Sequence, residues 1–219
     1  MQVHGHRGAR AVFPENSLEG FRYAIDLGVD AIEMDVVVSR DDVVVVSHDP
    51  FLKDGRFIRT LDAAETELPS LDQVLDLAPR GNFLFNIEAK VSEQTPDYFV
   101  DLIHARIEGH SLSARVIFQS FDFPILHAMR RLDSTITLAV LWEGAARSFI
   151  EIAREAGTKI VAPEYRLVTP AEVRGAHDAG LRVIPWTANR PEDWQRLMDA
   201  GVDGIITDDP AALLKYLSR

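Results

Sequence analysis

The chain has 219 residues, 47% of them hydrophobic and 26% charged, with a net charge of −11 and no cysteine. Such a composition suits a soluble globular protein that buries its core without disulfides, and the missing thiol excludes disulfide bridges, a cysteine nucleophile and zinc–thiolate centres. The acidic balance argues against general binding to nucleic acid or anionic membranes, so positive charge for a phosphate has to be local.

No apolar run approaches the roughly 20 residues of a membrane span. Met1 leads almost directly to His6 without a basic and then apolar leader, so no signal peptide is visible. A cytoplasmic location is the expectation that fits.

Strand-like and helix-like runs alternate along the whole chain. A short strand is predicted at 3–8. A helix follows at 16–27, where Leu18, Phe21 and Ile25 recur at helical spacing and Gly28 supplies the stop. The β-branched run at 31–39 reads as a strand, Asp41-Asp42 as a tight turn, and 43–47 as a hairpin return. Residues 50–69 form a short, weakly periodic excursion before a helix at 70–77. Six strand–helix pairs then follow: 82–89 with 97–107, 116–121 with 124–132, 135–142 with 145–156, 159–163 with 170–179, 182–187 with 191–200, and 204–207 with 210–217.

With the hairpin return as an accessory strand, eight β/α units remain. They predict a (β/α)₈ TIM barrel in which residues 1–219 form a single domain and 50–69 a short insertion. An open doubly wound sheet is the alternative. Neither a GxGxxG run nor a P-loop occurs. The Gly-Val-Asp punctuation at Asp30 and Asp203 reads as the helix-to-strand turn of the barrel's stable face.

The chemistry lies at the strand ends. Side chains alternate along a strand, so Glu33 and Asp35 share a face. Two adjacent carboxylates on an otherwise apolar strand are costly unless a cation joins them, which points to a metal site. His6 and Arg7 follow the first strand, His48 the hairpin, and His6 and His48 offer an acid/base pair close by. Glu88 and Lys90 end the third barrel strand, Gln119 the fourth, and Trp186 the seventh. Arg7 offers a planar fork for phosphate oxygens or a salt bridge to Glu15. Asn16 suits a helix cap or a site role. Gln119 suits substrate or water contact as well as packing, and Trp186 a pocket wall or the core. His4 reads as structural, and His104, His110, His127 and His177 as surface residues. Asp209-Pro210 reads as a helix cap with proline at the first helical position.

The runs His6-Arg7-Gly8, Glu15-Asn16-Ser17, Glu33-Met34-Asp35-Val36, His48-Asp49, Ile87-Glu88-Ala89-Lys90, Trp186-Thr187-Ala188-Asn189 and Asp203-Gly204-Ile205-Ile206-Thr207-Asp208 together resemble the glycerophosphodiester phosphodiesterase family, in order and across the chain. The resemblance implies a TIM barrel that hydrolyses glycerophosphodiesters to sn-glycerol 3-phosphate and an alcohol with a divalent cation. It implies Glu33, Asp35 and Glu88 as metal ligands, and His6 and His48 as the general acid/base pair. Arg7, Lys90, Glu15, Gln119 and Trp186 are expected around the substrate. An all-oxygen ligand set favours Mg²⁺ or Ca²⁺ over zinc. Two alternatives are a lyase stopping at a cyclic phosphate and a catalytically silent barrel that binds a phosphate ligand. The excursion at 50–69 is shorter than the insertion that many members of the family carry after the His-Asp motif.

Overall fold

The structure, a computed structural model, is described over residues 1–218. Its parallel strands are β1 (Gln2–Gly5), β2 (Ala31–Val38), β4 (Leu84–Ala89), β5 (Val116–Ser120), β6 (Thr137–Trp142), β7 (Ile160–Pro163), β8 (Arg182–Val183) and β9 (Gly204–Thr207). The helices are α1 (Leu18–Asp26), a single turn α2 (Ala63–Thr66), α3 (Leu71–Leu75), α4 (Phe99–Gly109), α5 (Phe123–Leu132), α6 (Phe149–Ala156), α7 (Pro170–Asp178), α8 (Pro191–Ala200) and α9 (Pro210–Leu217). The hairpin return is β3 (Val44–Val46), antiparallel to β2 and outside the ring.

The ladder runs β8-β7-β6-β5-β4-β2-β1-β9. Three backbone bonds bridge the remaining seam, from the Asp203 amide to the Val183 carbonyl (2.9 Å), Ile206 to Pro185 (2.9 Å) and Ala188 to Ile206 (3.1 Å). The predicted barrel is therefore present, and the open-sheet alternative falls. Pro185 has no amide to donate, so the strand expected over 182–187 shrinks to two ladder residues, with Trp186 in a lone bridge to Glu164. The helix expected at 145–156 starts only at Phe149, because Gly144 turns the chain at φ +84° and the Trp142 indole bonds the Ala145 carbonyl at 3.0 Å.

Strand alternation separates two packed layers. On β2, Ile32, Met34 and Val36 join the large core between sheet and helices, as do Phe85 and Ile87 of β4 and Phe118 of β5. The intervening residues belong to the other face, the barrel interior. There Ile117, Ala139, Ile160, Ile184 and Ile206 form an apolar plug. Glu33, Asp35, Asn86, Glu88 and Gln119 occupy the same inward parity. Parallel pairing sets Asp35 opposite Glu88, and Glu88 opposite Gln119, near the C-terminal ends of their strands.

Turn acids lock the opposite rim. The Asp30 carboxylate accepts from the Val3 amide at 2.8 Å, and that of Asp203 from the Val183 amide at 2.7 Å. Asp209 caps α9 by accepting from the Ala212 amide, behind Pro210. His4 is fully buried, within 3.3 Å of Gln2 and 3.4 Å of Asn86, a structural histidine. No helix among the described residues is long and apolar enough to cross a membrane.

Candidate active site

Glu33, Asp35 and Glu88 each place one carboxylate oxygen within 4.8 Å of the others, and all three are buried. Burial and repulsion from Asp35 and Glu88 push the Glu33 carboxyl well above the usual range. Burial, then the charge of Asp35, raises Glu88 to about 8, with Lys90 pulling the other way. Burial alone would raise Asp35 too, but Lys90, Arg7 and a hydrogen bond from Asn16 together hold it below its ordinary value. One of three crowded carboxyls thus keeps its charge at the expense of its neighbours.

Positive charge comes from two directions. Lys90, just past β4, sets its ammonium 2.6 Å from Glu88 and 3.3 Å from Asp35. Burial works against its charge, but these carboxylates hold its pKa above the ordinary value. Arg7 arrives from the loop after β1. Its Nη1 donates to Glu15 at 2.9 Å, its Nε lies 3.1 Å from Asp35, and its backbone amide donates to Glu33 at 2.9 Å. Arg7 therefore makes the salt bridge to Glu15 and also lines the site.

That loop depends on small residues. Gly8, at φ +85°, returns its amide to the Gly5 and Glu33 carbonyls, both at 3.2 Å. A Cβ on Gly5 would fall 2.2 Å from the Gly8 carbonyl oxygen, and one on Gly8 would fall 2.8 Å from α1 backbone. The turn swings His6 and Arg7 over the mouth.

A pocket of about 420 Å³ opens there, lined by His6, Arg7, Glu33, His48, Glu88 and Lys90. Gln119 joins it with its amide donating to Glu33 at 3.3 Å. Trp186 forms part of the wall edge-on to Phe121, with centroids 5.6 Å apart. Its indole also donates to the Ala162 carbonyl at 2.9 Å and packs on the inner plug, so wall and core readings both hold. Asp35 sits behind the pocket. Glu15 lies outside it, in a neighbouring groove of about 1010 Å³ that shares His48, and meets the site through Arg7.

His6 is buried, with Nδ1 2.5 Å from Asp208 and Nε2 3.9 Å from Glu33. His48 is half-buried at the hairpin end, with Nδ1 2.8 Å from Asp49. Sequence reasoning gave no role to Asp208 or to Asn189, which donates to Asp208 at 2.8 Å. Their advance signals were position, directly after the last two barrel strands, and membership of two of the runs that carry the family resemblance. The capping role considered for Asn16 belongs to Ser17, whose hydroxyl accepts from Gly20 at 3.2 Å. Asn16 itself takes φ +57° and turns inward to Asp35.

The cluster fits a divalent cation. Asp35 Oδ1 and Glu88 Oε1 are buried without a well-aligned hydrogen bond, although Lys90 is near both. The donors are all hard oxygens, the class preferred by Mg²⁺ and Ca²⁺.

Comparison with known proteins agrees in sequence and shape. The profile of the glycerophosphoryl diester phosphodiesterase family matches residues 6–60 and 54–212. A glycerophosphodiester phosphodiesterase of Caldanaerobacter subterraneus subsp. tengcongensis is 31% identical over 237 residues, spanning 99% of this chain and 98% of the relative. The crystal structure of a glycerophosphodiester phosphodiesterase from Parabacteroides distasonis superposes with a TM-score of 0.89 at 25% identity, over 99% of this chain and 96% of that one. A phosphodiesterase of Oleispira antarctica, solved in complex with its product sn-glycerol 3-phosphate, has the same fold at a TM-score of 0.92 and 21% identity, over 100% of this chain and 97% of that one. With family profile, relatives and barrel in agreement across its length, the chain belongs to the glycerophosphoryl diester phosphodiesterase family.

Proposed function

We propose that this chain hydrolyses glycerophosphodiesters to sn-glycerol 3-phosphate and an alcohol, as a single TIM-barrel domain over 1–219. Family membership supports the reaction class, as does the activity for which its Caldanaerobacter relative is named. The observation that carries the residue roles is the buried Glu33–Asp35–Glu88 trio sharing one pocket mouth with two imidazoles and two cationic side chains.

Glu33, Asp35 and Glu88 would hold a divalent cation, Mg²⁺ or Ca²⁺. When bound, it supplies Lewis-acid polarisation of a phosphoryl oxygen and offsets charge developing there. With all three carboxyls ionised around a bound dication, the cluster together with Arg7 and Lys90 would carry one net positive charge, towards a phosphodiester anion. Arg7 and Lys90 bind and orient the phosphate, and Trp186 with Phe121 shields one side of it from water. One of His6 and His48 removes a proton from the attacking water, or from the neighbouring glycerol hydroxyl in a first step whose cyclic phosphate water then opens, and the other returns one to the departing alkoxide, so the diester and water become a monoester and an alcohol with no net proton consumed at the pair. Gln119 holds Glu33 in place through its amide.

The test is a panel of glycerophosphocholine, -ethanolamine, -glycerol and -inositol, each with EDTA, Mg²⁺ and Ca²⁺, followed by phosphorus NMR. Release of sn-glycerol 3-phosphate only with a divalent ion supports the proposal. Turnover untouched by exhaustive chelation overturns the cation role, and a cyclic phosphate as final product replaces hydrolysis with the lyase reaction.

A further inference from the structure

The side-chain hydrogen bond His6 makes joins the ends of two neighbouring barrel strands, β1 and β9. Its Nδ1 lies 2.5 Å from Asp208 Oδ1, a partner 202 residues away in sequence. The ring is further anchored at its own backbone, where the His6 amide donates to the Thr207 carbonyl at 2.8 Å. Asp208 is itself braced twice by Asn189. The Asn189 amide nitrogen donates to Asp208 Oδ2 at 2.8 Å, and its carbonyl oxygen accepts from the Asp208 backbone amide at 2.9 Å and the Thr207 hydroxyl at 3.2 Å. Each Asp208 oxygen has one partner, and each end of the Asn189 amide is used according to its chemistry.

From this geometry we infer that Asp208 is the positioning residue of His6, and Asn189 the brace of Asp208. Together they fix the imidazole as the Nδ1–H tautomer with the Nε2 lone pair turned to the pocket. A carboxylate accepts and cannot donate, so the proton between the pair resides on Nδ1 of the neutral ring. Nε2 is then the nitrogen that accepts a proton from the attacking hydroxyl. Asp208 keeps its charge throughout, opposite the imidazolium that forms. The Asp208 carboxyl is held below its ordinary value: burial pushes it up, but hydrogen bonds and charge from His6, with Asn189 and Arg10, outweigh that. His48 has a different arrangement. Its acceptor, Asp49, is the adjacent residue and largely exposed, so the two histidines are not equivalent.

This inference rests on the proposed acid/base role of His6, and its first test does not need turnover. In the wild-type protein, ¹⁵N-labelled at histidine, long-range ¹H–¹⁵N spectra at pH 8 should show His6 with Nδ1 protonated and Nε2 bare. The opposite tautomer overturns the proposal even if the enzyme is fully active. Asp208→Asn offers the ring an amide donor in place of an acceptor, because Asn189 still occupies the far side. It should invert the tautomer and lower kcat by about 10²–10⁴-fold, the range of acid/base and wrong-tautomer effects, with KM changed less than threefold. Asn189→Ala should lower kcat by about tenfold, and Asn189→Asp should do so more severely, by placing a second carboxylate against Asp208. Circular dichroism melts identify the folded variants. A folded Asp208→Asn protein with kcat within threefold of wild type, or with KM carrying the whole loss, overturns the positioning role. A wild-type protein with the expected tautomer and no diester turnover would instead overturn the proposed function.

Discussion

Asn16 and Asp35 grip each other through both ends of the amide: Asn16 Nδ2 donates to Asp35 Oδ2 at 3.0 Å, and Asn16 Oδ1 accepts from the Asp35 backbone amide at 3.3 Å. The backbone of Asn16 is left-handed, a conformation asparagine tolerates better than most residues. Outer partners of a ligating carboxylate typically contribute 10–100-fold in metal affinity. Asn16→Ala is expected to weaken Mg²⁺ or Ca²⁺ binding by about that factor in calorimetry, and to lower stability by about 1–3 kcal/mol by leaving the buried Asp35 amide and carboxylate short of partners.

The raised Glu88 pKa has a definite sign. Below its unfolded value, near 4.5, the carboxyl is protonated in both states, and its contribution to stability is fully present. As pH rises towards about 8, the unfolded chain has lost that proton and the folded one has not, so stability falls. Glu33 acts in the same direction. Urea melts of cation-free protein should therefore weaken between pH 5 and 8, by up to about 1.4 kcal/mol per pH unit per group, and saturating Mg²⁺ or Ca²⁺ should flatten the slope. Glu88→Gln, a neutral isostere, should remove that part of the slope, matching wild type only near pH 4.5 and making the cation-free protein more stable than wild type at pH 7 and more so at pH 8, while losing the cation's stabilisation.

His4 works in the opposite direction. Burial, aided by the Arg182 charge, lowers its pKa to about 3, so the folded protein keeps it neutral while the unfolded chain takes up a proton near pH 6.5. Its contribution is present above pH 6.5 and is lost as pH falls towards 3. His4→Gln should reduce the acid-limb slope by about 1.4 kcal/mol per pH unit, read from urea midpoints between pH 4 and 6.

Gly8 is the backbone condition for the His6–Arg7 turn. Its φ of +85° disfavours any side chain, and a Cβ would meet the Gly20 carbonyl carbon at 2.8 Å and the Phe21 nitrogen at 2.9 Å. Gly8→Ala is expected to cost more than about 1 kcal/mol, and to shift kcat as well as Tm, because the displaced residues sit in the pocket. Full activity at an unchanged Tm would refute the role given to this turn.

His48→Ala should lower kcat by about 10²–10⁴ with little change in Tm, since the side chain is about one-third exposed and its ring bonds only the adjacent, exposed Asp49 among the described side chains. Stopped assays on a glycerophosphodiester, with the melting curve alongside, separate this from a folding defect.

Much of the fold was legible because βα alternation is a local pattern. Eight units, the hairpin and most helix boundaries follow from periodicity and from Pro and Gly. Two of the carboxylates were legible for a related reason: a spacing of two on a strand fixes a common face for Glu33 and Asp35, whereas Glu88, on another strand, was expected beside them only through the family resemblance, and the parallel register brings it opposite Asp35. What escaped was set by tertiary geometry. The left-handed turn at Asn16 moves the cap of α1 one residue on, to Ser17, and frees the amide for Asp35. The brace around His6 joins residues from opposite ends of the sequence, and no spacing announces that Asp208 faces His6. The irregular β8 follows from Pro185, whose lack of an amide was visible, but whose effect depends on its neighbours in the ring.

The bond from His6 to Asp208 also has a consequence in time. The proposed reactive centre draws on the first barrel strand and the last, so a nascent barrel that still lacks β9 has neither the strand that flanks β1 nor the carboxylate that meets the His6 ring.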